Sequence, residues 1–405
     1  MNEWKETKLK YLADIFSGFA FSSKDMANEG IPIIKIGNIK NKVVQRECGV
    51  YYPRDKVLER HKRYLLEQDD ILIAMTGAGS VGKFGKMFKK DREYLVNQRV
   101  GIIRSNQNVN AIFLYYILTM PNYERYLYSI GIGAGQPNIS AKDIGSVPIT
   151  IPDFKFQEKI ANVLSTYDKL IENNNRRIQI LEQTAEELYK EWFVRMRFPG
   201  YEKTKFDKGI PEGWEVRRIK DLGEVITGKT PPTNDEENYG GEVMFVKTPD
   251  MNGNLFTIET ESYLSNKGND SQPKKLIPKG SIMVSCIGTG GVVSINGYPA
   301  HTNQQINSIV LNKAFEREWA YFTLHSMKET IELFGATGAT MTNLSKGKFE
   351  KLKILYPSNK LVSRYHTLTK DIFSKIKNLK IQNQNLIKQR DLLLPRLMNG
   401  SITVK

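Results

Sequence analysis

Residues 154–193 contain neither Pro nor Gly, and their apolar positions keep one beat. Ile160, Leu164, Tyr167, Ile171, Asn174, Ile178, Leu181, Ala185, Leu188 and Trp192 follow one another by alternating fours and threes. That spacing holds one stripe against a single partner helix, the heptad pattern of a coiled coil. A helix over 157–193 would be about 55 Å long at roughly 1.5 Å per residue. The same beat returns near the end of the chain at Tyr365, Thr369, Ile372, Ile376, Leu379, Asn383, Leu386, Arg390, Leu393 and Leu397. Pro395 predicts that this second helix stops at about Leu394, because a proline inside a helix lacks the N–H and clashes with the preceding turn.

Outside the helices the pattern changes. Short apolar runs such as IPIIKIGNI, DDILIAMTGAGSVGKFG and YLVNQRVGIIR are split by Gly, Asn and Pro, and read as strands joined by turns. AIFLYYILTM and NYERYLYSI read as helices, followed by the glycine-rich GIGAGQPNIS and the strand SVPITIP. The same grammar then restarts. Trp214, Leu222 and Gly228 lie 210 positions after Trp4, Leu12 and Gly18, and Pro357 lies 205 after Pro152. GSIMVSCIGTGGVV answers DDILIAMTGAGSVG, TNQQINSIV answers VNQRVGIIR, and ATMTNLS answers GQPNIS. An internal repeat of this length fixes the architecture before any single element does. The expected fold is α+β: two similar mixed α/β domains, residues 1–153 and 201–356, held apart by long helices at 154–200 and 357–405. The tract 194–214 reads as the linker between the halves.

A pseudo-twofold relation between the halves would set the two helices antiparallel. Ile160 then meets Leu397, Leu164 meets Leu393, Ile178 meets Leu379, Leu181 meets Ile376 and Ala185 meets Ile372. In that register Asn174 meets Asn383, and these are the only Asn residues on either stripe. A slip by one heptad would leave each amide against an apolar or aromatic partner, so the pair predicts the register. Tyr167 against Arg390 and Leu188 against Thr369 are expected to be imperfect layers.

The net charge of +15 points to a polyanionic partner, most simply nucleic acid. Residues 357–405 are the most basic stretch, with 10 Lys and Arg against 2 Asp and Glu. Cys48 and Cys286 stand in different halves, which fits two buried thiols and neither a disulfide framework nor a zinc cluster. His61, His301, His325 and His366 are scattered, so no metal site is expected. No apolar run is long enough for a membrane span and the start lacks a signal-peptide core, so the expected location is the cytoplasm.

Two passages imitate catalytic or phosphate-binding motifs. Gly77, Gly79 and Gly82 spell GxGxxG, and Gly77, Gly82 and Lys83 spell most of a P-loop. A P-loop needs Ser or Thr after its Lys, and here Phe84 stands there; both patterns need a helix where the sequence reads as a hairpin. A turn whose backbone approaches DNA phosphates suits the passage better. No Glu-x-Lys follows Pro152-Asp153 or Pro249-Asp250, as a nuclease of that type would need. Pro231-Pro232 is flanked by Thr230 and Thr233 rather than by the Asn or Asp and the aromatic of an amino-methyltransferase motif. No catalysis by this chain alone is expected.

Base edges in the major groove are read by Arg on guanine, by Asn or Gln on adenine, and more loosely by Lys and Thr. On loops of the first domain the candidates are Lys35, Asn38, Thr76, Ser80, Lys83, Asn97, Gln98, Arg99, Gln136 and Asn138. In the second they are Lys229, Thr230, Lys247, Thr289, Asn303, Gln304, Gln305, Thr340 and Asn343. Each competes with a plain turn role. Asn138 and Asn343, at matched repeat positions, could equally be turn or helix-cap residues.

The run Pro152…Gln157-Glu158…Ile160…Leu164…Asp168…Ile171, preceded by GQPNIS, closely resembles the specificity subunits of type I restriction–modification enzymes. So do TGKTPPTN at 227–234 and the ending LLLPRLMNGSI, and the resemblance covers essentially the whole chain. It departs at Val362, which stands where the repeat would place the partner of Gln157. The resemblance implies two target-recognition domains, each reading half of a split target in double-stranded DNA. It implies helices that set the gap and dock two methyltransferase subunits, with a nuclease–translocase subunit joining to make the restriction enzyme. S-adenosylmethionine is then expected on the methyltransferase partners and no cofactor on this chain. The rival classes are a self-contained methyltransferase or nuclease, opposed by the missing motifs, and a coiled-coil scaffold without a DNA role, opposed by the basic charge and polar loops.

Overall fold

The computed structural model describes residues 4–88, 90–132, 137–336 and 342–404. The chain forms two compact units, Met1–Leu170 with Leu386–Lys405, and Ile171–Asn385. Each takes in part of both long helices, so in packing terms the helices belong to the units rather than standing apart as separate segments.

In the first unit the isoleucine-rich runs IPII and ILIA are buried at every position and form strands Ile31–Ile34 and Ile71–Ala74, as expected of strands covered on both faces. The main sheet has six strands in the order Ala13–Ser17, Val100–Ser105, Ile71–Ala74, Phe84–Lys86, Val43–Val44, Ile39–Lys40. A smaller sheet sets Ile31–Ile34 between Tyr51–Tyr52 and the parallel strand Leu95–Val96. Lys5–Lys8 pairs with Pro148–Ile151 just before the first long helix.

The second unit repeats this plan. Its five-stranded sheet runs Gly223–Thr227, Ile306–Leu311, Ile282–Ser285, Val293–Asn296, Phe256–Thr257. Its three-stranded sheet sets Tyr239–Val246 between Ser262–Leu264 and the parallel strand Ala300–Thr302. Glu215–Arg218 pairs with Lys353–Tyr356 before the second long helix. Even isolated backbone bonds recur: Leu9 N donates to Val147 O and Ile219 N to Leu352 O, both at 3.0 Å. The tract read as a linker is partly structured. Phe206–Asp207 and Ile210–Pro211 form a hairpin, and Phe198 packs on Trp214 with ring centroids 5.7 Å apart.

The first long helix runs Phe154–Tyr189 and ends in a wider turn, Lys190–Val194, of π type. Its start is fastened by Gln157, buried, whose Oε1 accepts from Asn110 N at 2.9 Å and whose Nε2 donates to Pro152 O at 2.9 Å. Val362, at the matching place in the second helix, is buried and has no such bonds to make. In the first unit Ile160 and Leu164 share a core with Leu394, Leu397 and Met398, with Leu393 at its margin. In the second, Ile178 and Ala185 share a core with Ile376 and Leu379, with Leu181 and Ile372 at its margin. Within the second unit Asn174 lies against Asn383, while Ala185 O, further along, accepts from Tyr365 Oη at 2.9 Å. The two segments therefore run antiparallel.

The second helix runs Asn359–Met398, past Pro395, and not to Leu394 as the proline predicts. Pro395 removes one donor, yet Asn399 N still closes the next turn on Pro395 O at 3.1 Å. Leu394, Leu397 and Met398 are all buried in the first unit's core. Burying those three side chains, at about 1.5–3 kcal/mol each, offsets the roughly 3 kcal/mol that an internal proline costs. No helix among the described residues is long and apolar enough to cross a membrane.

Candidate nucleic-acid interface

Antiparallel register brings Ser17, Ala74 and Val100 to one edge of the first main sheet. The loops that leave this edge are laced by backbone hydrogen bonds. Asn97 N donates to Ile34 O at 3.0 Å, Phe19 N to Val96 O at 2.8 Å and Met75 N to Arg99 O at 3.0 Å. Ile139 N donates to Met75 O at 2.9 Å, and Thr76 bridges Asn138. Candidates separated by more than 100 residues thus share one rim.

The second unit builds the same rim from the same bonds. Asn303 N donates to Val246 O at 3.1 Å, Lys229 N to Thr302 O at 2.9 Å and Cys286 N to Gln305 O at 2.7 Å. Leu344 N donates to Cys286 O at 2.9 Å, and Asn343 pairs with Ile287 in a short ladder. Gly18 and Gly228 explain why both rims open with glycine. A Cβ would stand 2.3 Å from Val96 O at the first and 2.2 Å from Thr302 O and Asn303 O at the second.

The individual side chains divide by what they already bond. Asn38 is buried in its turn, where Oδ1 accepts from Lys35 N at 2.8 Å and Nδ2 donates to Glu47 O at 3.0 Å. The structure therefore makes Asn38 a turn fastener rather than a side chain facing outward. Asp250 does the same for Lys247 N at 2.8 Å. Asn97 and Asn303 each accept from the N–H two residues on, at 3.3 Å from Arg99 and 3.2 Å from Gln305. Asn138 and Asn343 are exposed and cap no helix; Ser140 and Ser345 hold the N-cap positions. Thr76 and Ser80 are half-buried in the glycine-bearing turn.

Gln98, Arg99, Lys83, Lys229, Thr289 and Gln304 are exposed, and Lys35, Lys247, Thr230 and Gln305 half-buried. Lys247 Nζ donates to Ser262 Oγ at 2.8 Å and Thr230 Oγ1 to Gln304 Oε1 at 2.6 Å. Gln136 and Thr340 lie outside the described residues. The turn after Ile71–Ala74 holds Gly77, Gly79 and Gly82 at positive φ, and strand Phe84–Lys86 follows it, not a helix.

Reading residues one at a time missed what frames the second rim. Ser285, wholly buried, donates from Oγ to Thr289 O at 2.6 Å and accepts from Val292 N at 2.9 Å, which sets the Thr289 loop. His301 is wholly buried, 3.0 Å from Asn269 Oδ1 and 3.4 Å from Gln272 Nε2, and burial lowers its pKa. Cys286 is buried and its thiol is pushed up to about 11, whereas Cys48, expected to be buried, is only partly so. The repeat alignment held the signal for Ser285, since SIMVSC answers DILIAM. Among the candidate residues the first rim presents guanidinium, ammonium, amide and hydroxyl groups and the second ammonium, amide and hydroxyl groups, sets that bond base edges and phosphates.

Tandem copies of one mixed α/β module, each followed by a long helix and each carrying the same polar rim, are the class this fold defines. The chain belongs to the type I restriction–modification DNA specificity family, whose description, Type I restriction modification DNA specificity domain, matches residues 1–183 and again 211–390. It is 29% identical to the type I restriction enzyme HindI specificity subunit of Haemophilus influenzae, over 99% of this chain and 100% of that one. It is 26% identical to the type I restriction enzyme MjaIX specificity subunit of Methanocaldococcus jannaschii, over 100% of this chain and 94% of that one. The crystal structure of a type I restriction–modification S subunit from M. genitalium shares the fold, with a TM-score of 0.62 at 16% identity, covering 98% of this chain and 96% of that one. Sequence-specific DNA recognition within a restriction–modification system is the function this membership assigns.

Proposed function

We propose that each unit reads one half of a bipartite duplex target, while the long helices set the gap and dock two methyltransferase subunits. The chain itself performs no chemistry in this reading. S-adenosylmethionine is bound, and methyl transfer carried out, on the methyltransferase partners, and a nuclease–translocase subunit completes the restriction enzyme. One observation carries the proposal: two rims built on the same backbone bonds present different side chains, Asn97-Gln98-Arg99 in one and Asn303-Gln304-Gln305 in the other. A duplicated frame with unlike side chains is what two independent half-site readers require.

The test replaces residues 1–153 with the first domain of another family member. The chimera is expressed with the cognate methyltransferase subunit, and the methylated sites in the host genome are mapped. One half of the target should change and the other should stay. A motif that changes in both halves would overturn the modular reading.

A further inference from the structure

The two rims share one loop closely enough to compare position by position. In the first, Val100 N donates to Asn97 O at 2.9 Å, Gly18 N to Val100 O at 2.8 Å and Met75 N to Arg99 O at 3.0 Å. In the second, Ile306 N donates to Asn303 O at 3.2 Å, Gly228 N to Ile306 O at 3.1 Å and Cys286 N to Gln305 O at 2.7 Å. The backbone of this three-residue loop and of the residue after it is thus held by the same three bonds in both units.

The first position is Asn in both, and its Oδ1 accepts from the N–H of the third residue in both. It shapes the loop. The second position is Gln in both, so its residue type does not distinguish the two readers. The third is Arg99 in one unit and Gln305 in the other. Arg99 is exposed, and its guanidinium makes no hydrogen bond or ion pair with any described residue. Some other arginines of the unit are paired, Arg54 with Glu93 at 2.8 Å and Arg104 with Asp70 at 2.8 Å. Gln305 is half-buried, and its Oε1 accepts from Asn303 Nδ2 at 3.1 Å, which orients the amide, while Nε2 bonds no described residue. Gly288 lies beside Nε2, where an added Cβ would stand 3.6 Å away.

We propose that this third position determines specificity in each half, with Arg99 reading a guanine and Gln305 an adenine. Arginine forks onto guanine O6 and N7, and glutamine pairs with adenine N6 and N7. A rigid loop fits that task, because bidentate contacts tolerate little play. The inference rests on the proposed half-site reading.

The experiment uses the complex of this chain with its methyltransferase subunits. Its motif is mapped first, and the half belonging to residues 1–153 is identified from the chimera. Binding is then measured at fixed salt to duplexes in which each pair of the motif is replaced singly. For the wild-type complex, replacing one G·C pair in the first half should weaken binding at least about fivefold. In Arg99→Gln that replacement should cost less than twofold, and the profile across the second half should be unchanged. If Arg99→Gln binds too weakly to profile, Arg99→Lys takes its place, since it keeps a cation and loses the fork; a smaller penalty at that one pair supports the proposal. Equal penalties at every pair in wild type and variant, uniform weakening on all sequences, or a first half without a G·C pair would each overturn it. A wild-type complex with no bipartite motif at all would overturn the half-site reading instead.

Discussion

Asn174 is buried, and its Nδ2 donates to Asn383 Oδ1 at 3.0 Å; Asn383 Nδ2 in turn donates to Asn175 Oδ1 at 2.8 Å. Replacing one amide by a hydrocarbon leaves the other buried group without its partner, which costs about 1–3 kcal/mol, whereas replacing both removes the mismatch. Asn174→Leu should therefore lower the urea midpoint. Asn174→Leu with Asn383→Leu should restore it while loosening register, read as broadened amide spectra or altered cross-linking between engineered cysteines. A double variant no more stable than the single one would count against the pairing. Lys377 supplies a pH test. Burial, then the neighbouring Lys279 ammonium and the Arg317 guanidinium, push it from 10.5 down to about 8, while Nζ donates to Gly297 O at 2.5 Å. Between about pH 8 and 10.5 the unfolded chain holds more of this proton than the folded one, so the contribution to stability rises with pH across that window. Below pH 8 the cost of the buried cation is constant. The stability of wild type relative to Lys377→Met should thus improve from pH 7.5 to pH 10, and a difference flat in pH would count against the assignment.

At the scale of elements, a second network ties helices together inside the first unit. Tyr116, on helix Ala111–Leu118, donates its hydroxyl to Asp168 of the first long helix. Arg390 Nη1, on the second long helix, donates to the other oxygen of the same carboxylate at 2.5 Å. Burial and then the Asp168 charge push the Tyr116 hydroxyl far above its ordinary range, so it stays protonated and donates. Asp168→Ala leaves a mostly buried guanidinium without this partner and should cost about 3 kcal/mol. Tyr116→Phe removes one neutral donor and should cost less, about 1–2 kcal/mol. Denaturant titrations that rank the two the other way would mean the carboxylate is not the hub. The layer of Tyr167 and Arg390 looked imperfect in the sequence because the heptad stripe does not contain Asp168, one position on, which takes the arginine. Thr369, the other irregular position, turns its Oγ1 back to Tyr365 O at 2.8 Å and needs no partner across the seam. Heptads were legible since a stripe needs only hydrophobic spacing. The Asn174–Asn383 pair was legible with them, but the Tyr116–Asp168–Arg390 network and the survival of helix past Pro395 were not, since both depend on tertiary packing that no local pattern encodes.

At the scale of the whole molecule, the repeat made the architecture legible, because duplicated elements show themselves without any structure. The site was legible only as a set of loop residues. Which of them shape loops and which face outward depends on where backbone N–H groups fall, so Asn38, Asn97 and Asn303 could not be separated from Arg99 by residue type. In the proposed reading, the gap between half-sites is the property that belongs to the chain as a whole. If the helices set that gap, lengthening both by about one turn must lengthen it too. Four residues inserted near Asn174 and four near Asn383 add roughly 6 Å of helix and nearly one turn, which keeps each stripe close to its original face. At about 3.4 Å per base pair, the gap in the methylated motif should grow by one or two base pairs while both half-sites keep their sequence. Mapping methylation in cells that express the variant with its methyltransferase subunit reads this directly. Insertion into one helix alone puts the register of the amide pair at odds with the added turn, so it should lower stability without defining a new gap. An active double-insertion variant whose gap is unchanged would remove the helices from the role of ruler.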